Sequence, residues 1–394
     1  MKLWIVSNLP PPVHGVSVFN EMLLAEFRQV AINYEFVRVG SRDSNSRLGV
    51  FGFRKFLRDL LALTSVSLRL ALAMPRSRND HVLYFTPSQS GPGTCRDLLV
   101  SLIGKAFAKR VVAHIHGCAW LAFHGRRGLS SKVMAQALRN CDAVICLGER
   151  FTSQMISATR LPCVSVNNGV PSVPASSPKH LPSAGPVRFL FLSNFIPSKG
   201  LAIAADTVRR LRGAGRTVQL TCAGSWRDRK DRDVFEREFR KEIQEGAIVV
   251  VGPVSGTTKQ QILQNTHFLL LPIRNPYEGQ PLAIIEAMSY GVVPMTTDKG
   301  GIPDLLGTML STRLAQPGFD TSEILAVAVS TLMECPQDYH HLSNVCLERQ
   351  RSSLSSRRCA SEVIRVLRDD HRSTPSEPRG VQAPELKDLE YARG

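Results

Sequence analysis

No C-x-x-C pair occurs among the nine cysteines of this 394-residue sequence. Most of them sit in apolar strings, such as Cys146 in AVICLG and Cys222 in LTCAG. That pattern argues against a disulfide framework or a zinc site and fits reduced thiols in a cytosolic protein. Long apolar runs are lacking too. The longest of helical character, residues 60–74, is too short to span a bilayer and contains Arg69. The opening MKLWIVSNLPPP has a short apolar run ending in prolines, which suits a strand and not a secretion signal. No G-x-G-x-x-G follows that strand in residues 8–20, which speaks against a dinucleotide oxidoreductase. No RNA- or DNA-reading motif is recognisable, so nucleic acid is not an expected partner.

What is present fits a soluble globular chain, with 43% hydrophobic and 21% charged residues. The length exceeds what one core usually accommodates, so two domains are expected. The net charge of +16 is uneven. Residues 1–172 hold 21 Lys/Arg against 9 Asp/Glu, a net of +12, and the remainder holds 28 against 24, a net of +4. An excess confined to one half suggests a surface that meets an anion: a phospholipid layer, nucleic acid or a diphosphate-bearing substrate. A diffuse basic surface without a partner is the plainer alternative.

Strand-like and helix-like segments alternate. KLWIVSN, HVLYFT, RVVAHIH and DAVICLG read as strands, each followed by a turn and a helical pattern. Short apolar runs spaced by helices signal a parallel sheet covered on both faces. Residues 168–187 carry five prolines and four serines, a composition that breaks helix and strand and marks a linker. The alternation restarts with RFLFLSN and continues through TVQLTCAG, AIVVVGPV, HFLLLPI and VVPMTTD. Two doubly wound α/β domains follow, with ligands expected beyond the carboxyl ends of their strands.

Within NPYEGQPLAIIEAMSYGVVP, residues 275–294, Glu278 and Glu286 stand eight positions apart. Pro281 marks the start of a helix over 281–290. The unpaired amides of a first helical turn form an anion site, and a carboxylate on either side suits hydroxyl donors. A diphosphate-linked sugar has that shape. Glu286 lies between apolar neighbours, where an unpaired charge is costly.

The E-x7-E spacing, preceded by an apolar strand and followed by AMSYGVVPMTTDKGGIPDLL, resembles the retaining nucleotide-sugar glycosyltransferases of family 4, which have the GT-B fold. The resemblance covers residues 1–370 and is most specific over 187–306. It implies that Glu278 contacts the donor sugar near its reacting face and that Glu286 binds the ribose hydroxyls. Backbone groups of Gly279, Gln280, Pro281 and Leu282 would hold the diphosphate. FLFLSNFIPSKG, residues 189–200, resembles the family's G-R-x-x-x-x-K-G segment, whose Lys and Arg meet the diphosphate. Lys199 matches the lysine, whereas Ser193 and Asn194 stand at the glycine and arginine positions. Asn194 can hydrogen-bond a phosphate oxygen but cannot neutralise it. The loop with Gly15 matches the one under the diphosphate, and His116 resembles the histidine facing the donor sugar. His114 is its rival, read as lying on the other face of the strand. Asp231 and Asp233 form a D-x-D string, but in a charged run with the look of an exposed helix, so no metal is expected.

Residues 42–78 hold eight Lys/Arg and two Asp, with Phe53, Phe56, Leu57, Leu60, Leu61 and Leu68 at helical spacing. A core-packing helix with a basic outer face and a surface resting on anionic membrane are the two readings.

The expected architecture is α/β, GT-B: two Rossmann-like doubly wound domains facing across a cleft. An acceptor-side domain spans 1–167, a linker 168–186 and a nucleotide-sugar domain 187–350. A helix in 351–370 packs back on the body, and the tail 371–394 lacks stable structure. The expected activity is retaining, metal-independent transfer of a sugar from a UDP- or GDP-sugar, a substrate and not a cofactor, to a glycan or lipid-linked acceptor. Glu278, Lys199 and His116 would act at the reacting centre, in the cytoplasm or at the inner membrane face. A catalytically weak nucleotide-sugar binder and a transferase with a soluble acceptor are the alternatives.

Overall fold

A computed structural model of the chain describes residues 2–11, 13–39, 66–74, 81–89, 93–117, 119, 121, 128–173, 175–311 and 320–369. The first sheet is formed by β1 (Lys2–Ser7), β2 (Tyr34–Arg38), β3 (His81–Phe85), β4 (Arg110–Ile115), β5 (Ala143–Cys146) and β6 (Cys163–Ser165), in the order β2-β1-β3-β4-β5-β6. The second has β7 (Val187–Leu192), β8 (Val218–Ala223), β9 (Ile248–Gly252), β10 (Phe268–Leu271) and β11 (Val293–Thr296), in the order β11-β10-β7-β8-β9. Every strand pairing in both sheets is parallel.

Alternation along the strands builds the cores. In β1, Trp4 and Val6 enter one cluster while Leu3 and Ile5 enter the cluster on the opposite face. Both faces are covered, so both sets are apolar. Phe19, Leu23 and Phe27 of helix Gly15–Gln29 cover the Leu3 face together with Cys359, Val363 and Leu367 of helix Ser356–Arg368. The last described helix thus lies on the first sheet. Its apolar residues recur at three- and four-residue spacing, and Asp369 at its end pairs with Arg110 of β4 at 2.8 Å.

The strand order positions the site. In each sheet the order reverses once, between β1 and β3 and between β7 and β10, and the loops after those strands open a crevice there. The loops after β7 and β10 carry Asn194–Lys199 and Glu278–Pro281.

Two connections join the domains and run side by side. Val170 N–H donates to Leu354 O at 3.0 Å, and Ser356 N–H donates to Val170 O at 2.9 Å. Gly169 is packed so closely on Ser355 that a Cβ would run into its carbonyl oxygen.

Of the basic segment 42–78, residues 42–65 and 75–78 lie outside the described residues, Phe53, Phe56, Leu57, Leu60 and Leu61 among them. In the described part, Val66, Leu70 and Met74 are buried in the first-domain core while Leu68 and Leu72 are exposed. No helix among the described residues is long and apolar enough to cross a membrane.

Candidate active site between the two sheets

Helix Leu282–Met288 buries Ile284, Ile285, Ala287 and Met288 completely. Each large apolar side chain so buried contributes roughly 1.5–3 kcal/mol, which fixes the rotation of the helix. That rotation puts Glu286 on the outer face. The helix is shorter than the expected 281–290. Pro281 is its N-cap, at φ −64° and ψ 121°, an extended ψ that keeps it outside the helix.

Glu286 is half-buried, and Lys259 Nζ meets its Oε1 at 2.8 Å. The charge expected to be costly among apolar neighbours therefore has a partner. Glu278 Oε1 lies 2.6 Å from Lys199 Nζ, and Asn275 Nδ2 donates to its Oε2 at 3.3 Å. Glu278 and Lys199 are thus paired on the loops that flank the β7/β10 switch point, and Glu286 lies on the helix that follows the Glu278 loop. Lys199 ends a 3-10 turn, Pro197–Lys199, whose Ser198 O accepts from Arg274 N–H at 2.8 Å, so the two loops are braced. Gly300 holds the Glu278 loop from behind. Its φ of +53° favours glycine, and a Cβ there would strike Glu278 O. Asn194, earlier on the loop that carries Lys199, is exposed.

Gly279 faces the other domain. A Cβ at this position would run into His116 O, so only glycine permits this approach of the two sheets. Gln280 is nearly fully buried, and its side chain is turned toward the linker. Its Oε1 accepts from Asn168 N–H at 2.7 Å, and its Nε2 donates to Asn167 Oδ1 at 2.7 Å. Asn168 Nδ2 donates to Gln280 O at 2.8 Å. The Glu278–Pro281 loop is therefore tied to the interdomain connection.

His114 and His116 stack at 4.1 Å with 27° between their planes, and both rings touch Phe19. This corrects the placement of His114 on the opposite strand face, because a spacing of two returns a side chain to the same face. His114 Nδ1 is bonded to Tyr84 OH at 2.8 Å. Burial, with a smaller contribution from His14, pushes His116 down to about 3, so the ring is neutral. His114 is likewise lowered, by burial first and by His116 second. Gly15 starts the helix after β1, is exposed, and has open space where a Cβ would lie. His14 caps that helix by accepting from Ser17 N–H at 3.2 Å.

Asp231 and Asp233 lie on helix Arg229–Glu238 two positions apart, which turns them about 200° from each other. Asp233 is exposed, and Arg232 pairs with Glu236 at 2.7 Å. No group of acids, histidines and cysteines placed to hold a metal occurs among the described residues.

Sequence reasoning missed Lys259, the linker bonds of Gln280, and a link in which Asp304 of the second domain accepts from Arg150 N–H at 2.9 Å. Each pair joins positions 27 or more residues apart. No local pattern announces such pairs, although the unexplained Glu286 was a signal that some cation must meet it.

Comparison with known proteins fits this geometry. Residues 186–335 match the family model described as glycosyl transferases group 1. The amylovoran biosynthesis glycosyltransferase AmsK of Erwinia amylovora is 27% identical over 150 residues, which span 36% of this chain and 35% of that protein. Among solved structures, HepE of Anabaena in complex with UDP and glucose superposes with a TM-score of 0.69 at 15% identity, covering 94% of this chain and 100% of that one. The lipopolysaccharide outer core galactosyltransferase WaaB gives 0.65 at 17% identity, with the same coverage. The second domain is therefore similar in sequence to the group 1 glycosyltransferases, and the whole chain has the two-domain parallel-sheet fold of the GT-B glycosyltransferases.

Proposed function

We propose that the protein transfers a sugar from a nucleoside-diphosphate donor to an acceptor hydroxyl, with retention at the anomeric carbon. The Lys199–Glu278 pair on the loops at the β7/β10 switch point, with Glu286 on the helix that follows, carries this reading. Glu286 accepts hydrogen bonds from the ribose hydroxyls, and Glu278 from the donor sugar. Lys199 has three N–H donors, one of them directed at Glu278, and it stabilises the charge that grows on the leaving diphosphate. Backbone groups from Gly279 to Leu282 assist it, with Asn194 as a neutral donor in the place of an arginine. His116 and Gly15 line the opposite wall, where neutral His116 faces the sugar. The close approach of His116 and Gly279 keeps water from the donor, whose hydrolysis is the competing reaction.

Screening UDP- and GDP-sugars for thermal stabilisation, then for transfer, tests this reading. Stabilisation without any transfer would favour a weakly active binder, the reading that Asn194 motivates. The donor needs no metal in this proposal, so transfer persists in EDTA. Loss in EDTA with rescue by magnesium would overturn that part.

The acceptor is proposed to be a lipid-linked or polysaccharide intermediate, met at the cytoplasmic face of the membrane. The names of AmsK, an amylovoran biosynthesis glycosyltransferase, and WaaB, a lipopolysaccharide outer core galactosyltransferase, support that class. The basic residues 42–78 would meet the anionic lipid. Liposomes containing phosphatidylserine should bind the protein at low salt and release it as salt rises. Indifference to such liposomes at low salt, with equal transfer to a soluble acceptor, would point to a cytosolic acceptor instead.

A further inference from the structure

Lys259 lies outside the loops that flank the β7/β10 switch point. It belongs to helix Gly256–Gln264, which follows β9, the edge strand of the second sheet. Its Nζ nevertheless reaches Glu286 on the helix that follows β10. β7 and β8 separate those two strands within the sheet. The ion pair therefore ties together two helices that the sheet holds apart, and it does so on one side of the crevice.

Glu286 has no cation on its own helix to orient it. The positions one turn away are Leu282, Ala283, Ser289 and Tyr290. Both members of the pair are largely shielded, with side chains 29% and 19% exposed, so solvent screens their attraction less than on an open surface. A carboxylate on three rotatable bonds would otherwise sample several rotamers, and each lost rotamer must be repaid when a ligand binds.

We propose that Lys259 is a positioning residue for Glu286. It fixes Oε1 and so the rotamer that presents the carboxylate to the two hydroxyls of a ribose. The inference rests on the reading of Glu286 as the ribose acid. Ordering one such side chain costs enough to weaken nucleotide binding about 2- to 10-fold when the restraint is lost.

Calorimetric titration of UDP and GDP into five proteins tests this: the parent, Lys259→Met, Lys259→Arg, Glu286→Gln, and the double variant Lys259→Met/Glu286→Gln. Lys259 is partly exposed, and matching thermal unfolding of parent and variants verifies the fold. The expected result is weaker binding in Lys259→Met, restored in Lys259→Arg, with the double variant binding like Glu286→Gln alone. In turnover, the loss should fall on the donor KM and spare kcat. If Glu286→Gln weakens binding but Lys259→Met does not, Lys259 is an idle surface cation and the proposal fails. If the two losses multiply in the double variant, Lys259 touches the nucleotide independently and the positioning role is wrong. If neither single variant changes binding, the assignment of Glu286 to the ribose fails and takes this inference with it.

Discussion

Lys199 Nζ and Glu278 Oε1 lie 2.6 Å apart, on loops that leave adjacent strands of the second sheet. The cation proposed to meet the diphosphate and the acid proposed to meet its sugar are therefore in mutual contact. Replacing Lys199 with Ala removes the charge proposed to meet the diphosphate and also takes one partner from Glu278. Turnover should fall about 100-fold or more, as when other preorganised transition-state donors are removed. Thermal unfolding should move by only a few degrees. Steady-state transfer at saturating donor checks this, and a parental rate would reduce Lys199 to a structural partner of Glu278. Asn194→Arg is the converse test, in which tighter donor binding would show that Asn194 stands in the arginine's place.

Gln280 joins the candidate diphosphate loop to the interdomain connection through two side-chain hydrogen bonds. In Gln280→Leu the buried Asn168 N–H loses its acceptor and Asn167 loses its donor. Stability should drop by roughly 2–4 kcal/mol, from one buried and one partly buried hydrogen bond lost with at least one group left unsatisfied. Chemical denaturation measures it, and a change below about 0.5 kcal/mol would show that the linker and loop are not coupled in solution.

The sequence made the architecture legible where strands are buried on both faces. The apolar runs around β3, β4, β5, β7, β8 and β10 stand out because helices cover both sides of them. The strands left unnamed in the first domain, β2 and β6, are the two edges of its sheet. β2 reads YEFVR, and neither has a fully buried residue, so the apolar run that signals an interior strand is missing. Glu278 and Glu286 could be singled out because a single helix start sets their spacing. Lys259, Asn168 and Asp304 could not, because the crossings of the chain alone bring them to the site. The stacked histidines were legible too, had the two-residue period been applied correctly.

Acid should destabilise the fold through partly buried histidines. His116 is held down to about 3 by burial, and His267 to about 4 by burial first and then by Lys179 and Arg188, against an ordinary value near 6.5. Between those values and about 6.5 the unfolded chain binds protons that the folded chain does not, so stability falls as pH falls through that window. The limiting slope for a histidine whose pKa is depressed this far is about 1.4 kcal/mol per pH unit. His116→Gln should flatten the dependence between about pH 4 and 6. Denaturant midpoints measured across that range decide it, and parallel curves for parent and variant would contradict the assigned burial.

Donor binding should depend most on Glu286, whose carboxylate is assigned to the ribose of the donor. The direct measurement is calorimetric titration of the nucleotide sugar selected by stabilisation screening into the parent and into Glu286→Ala, with the fold of both verified. A charged hydrogen bond is worth roughly 1.5–3 kcal/mol, so the variant should bind about 10- to 100-fold more weakly. Equal affinity in the two folded proteins would contradict the placement of the donor between Lys199 and the helix that carries Glu286.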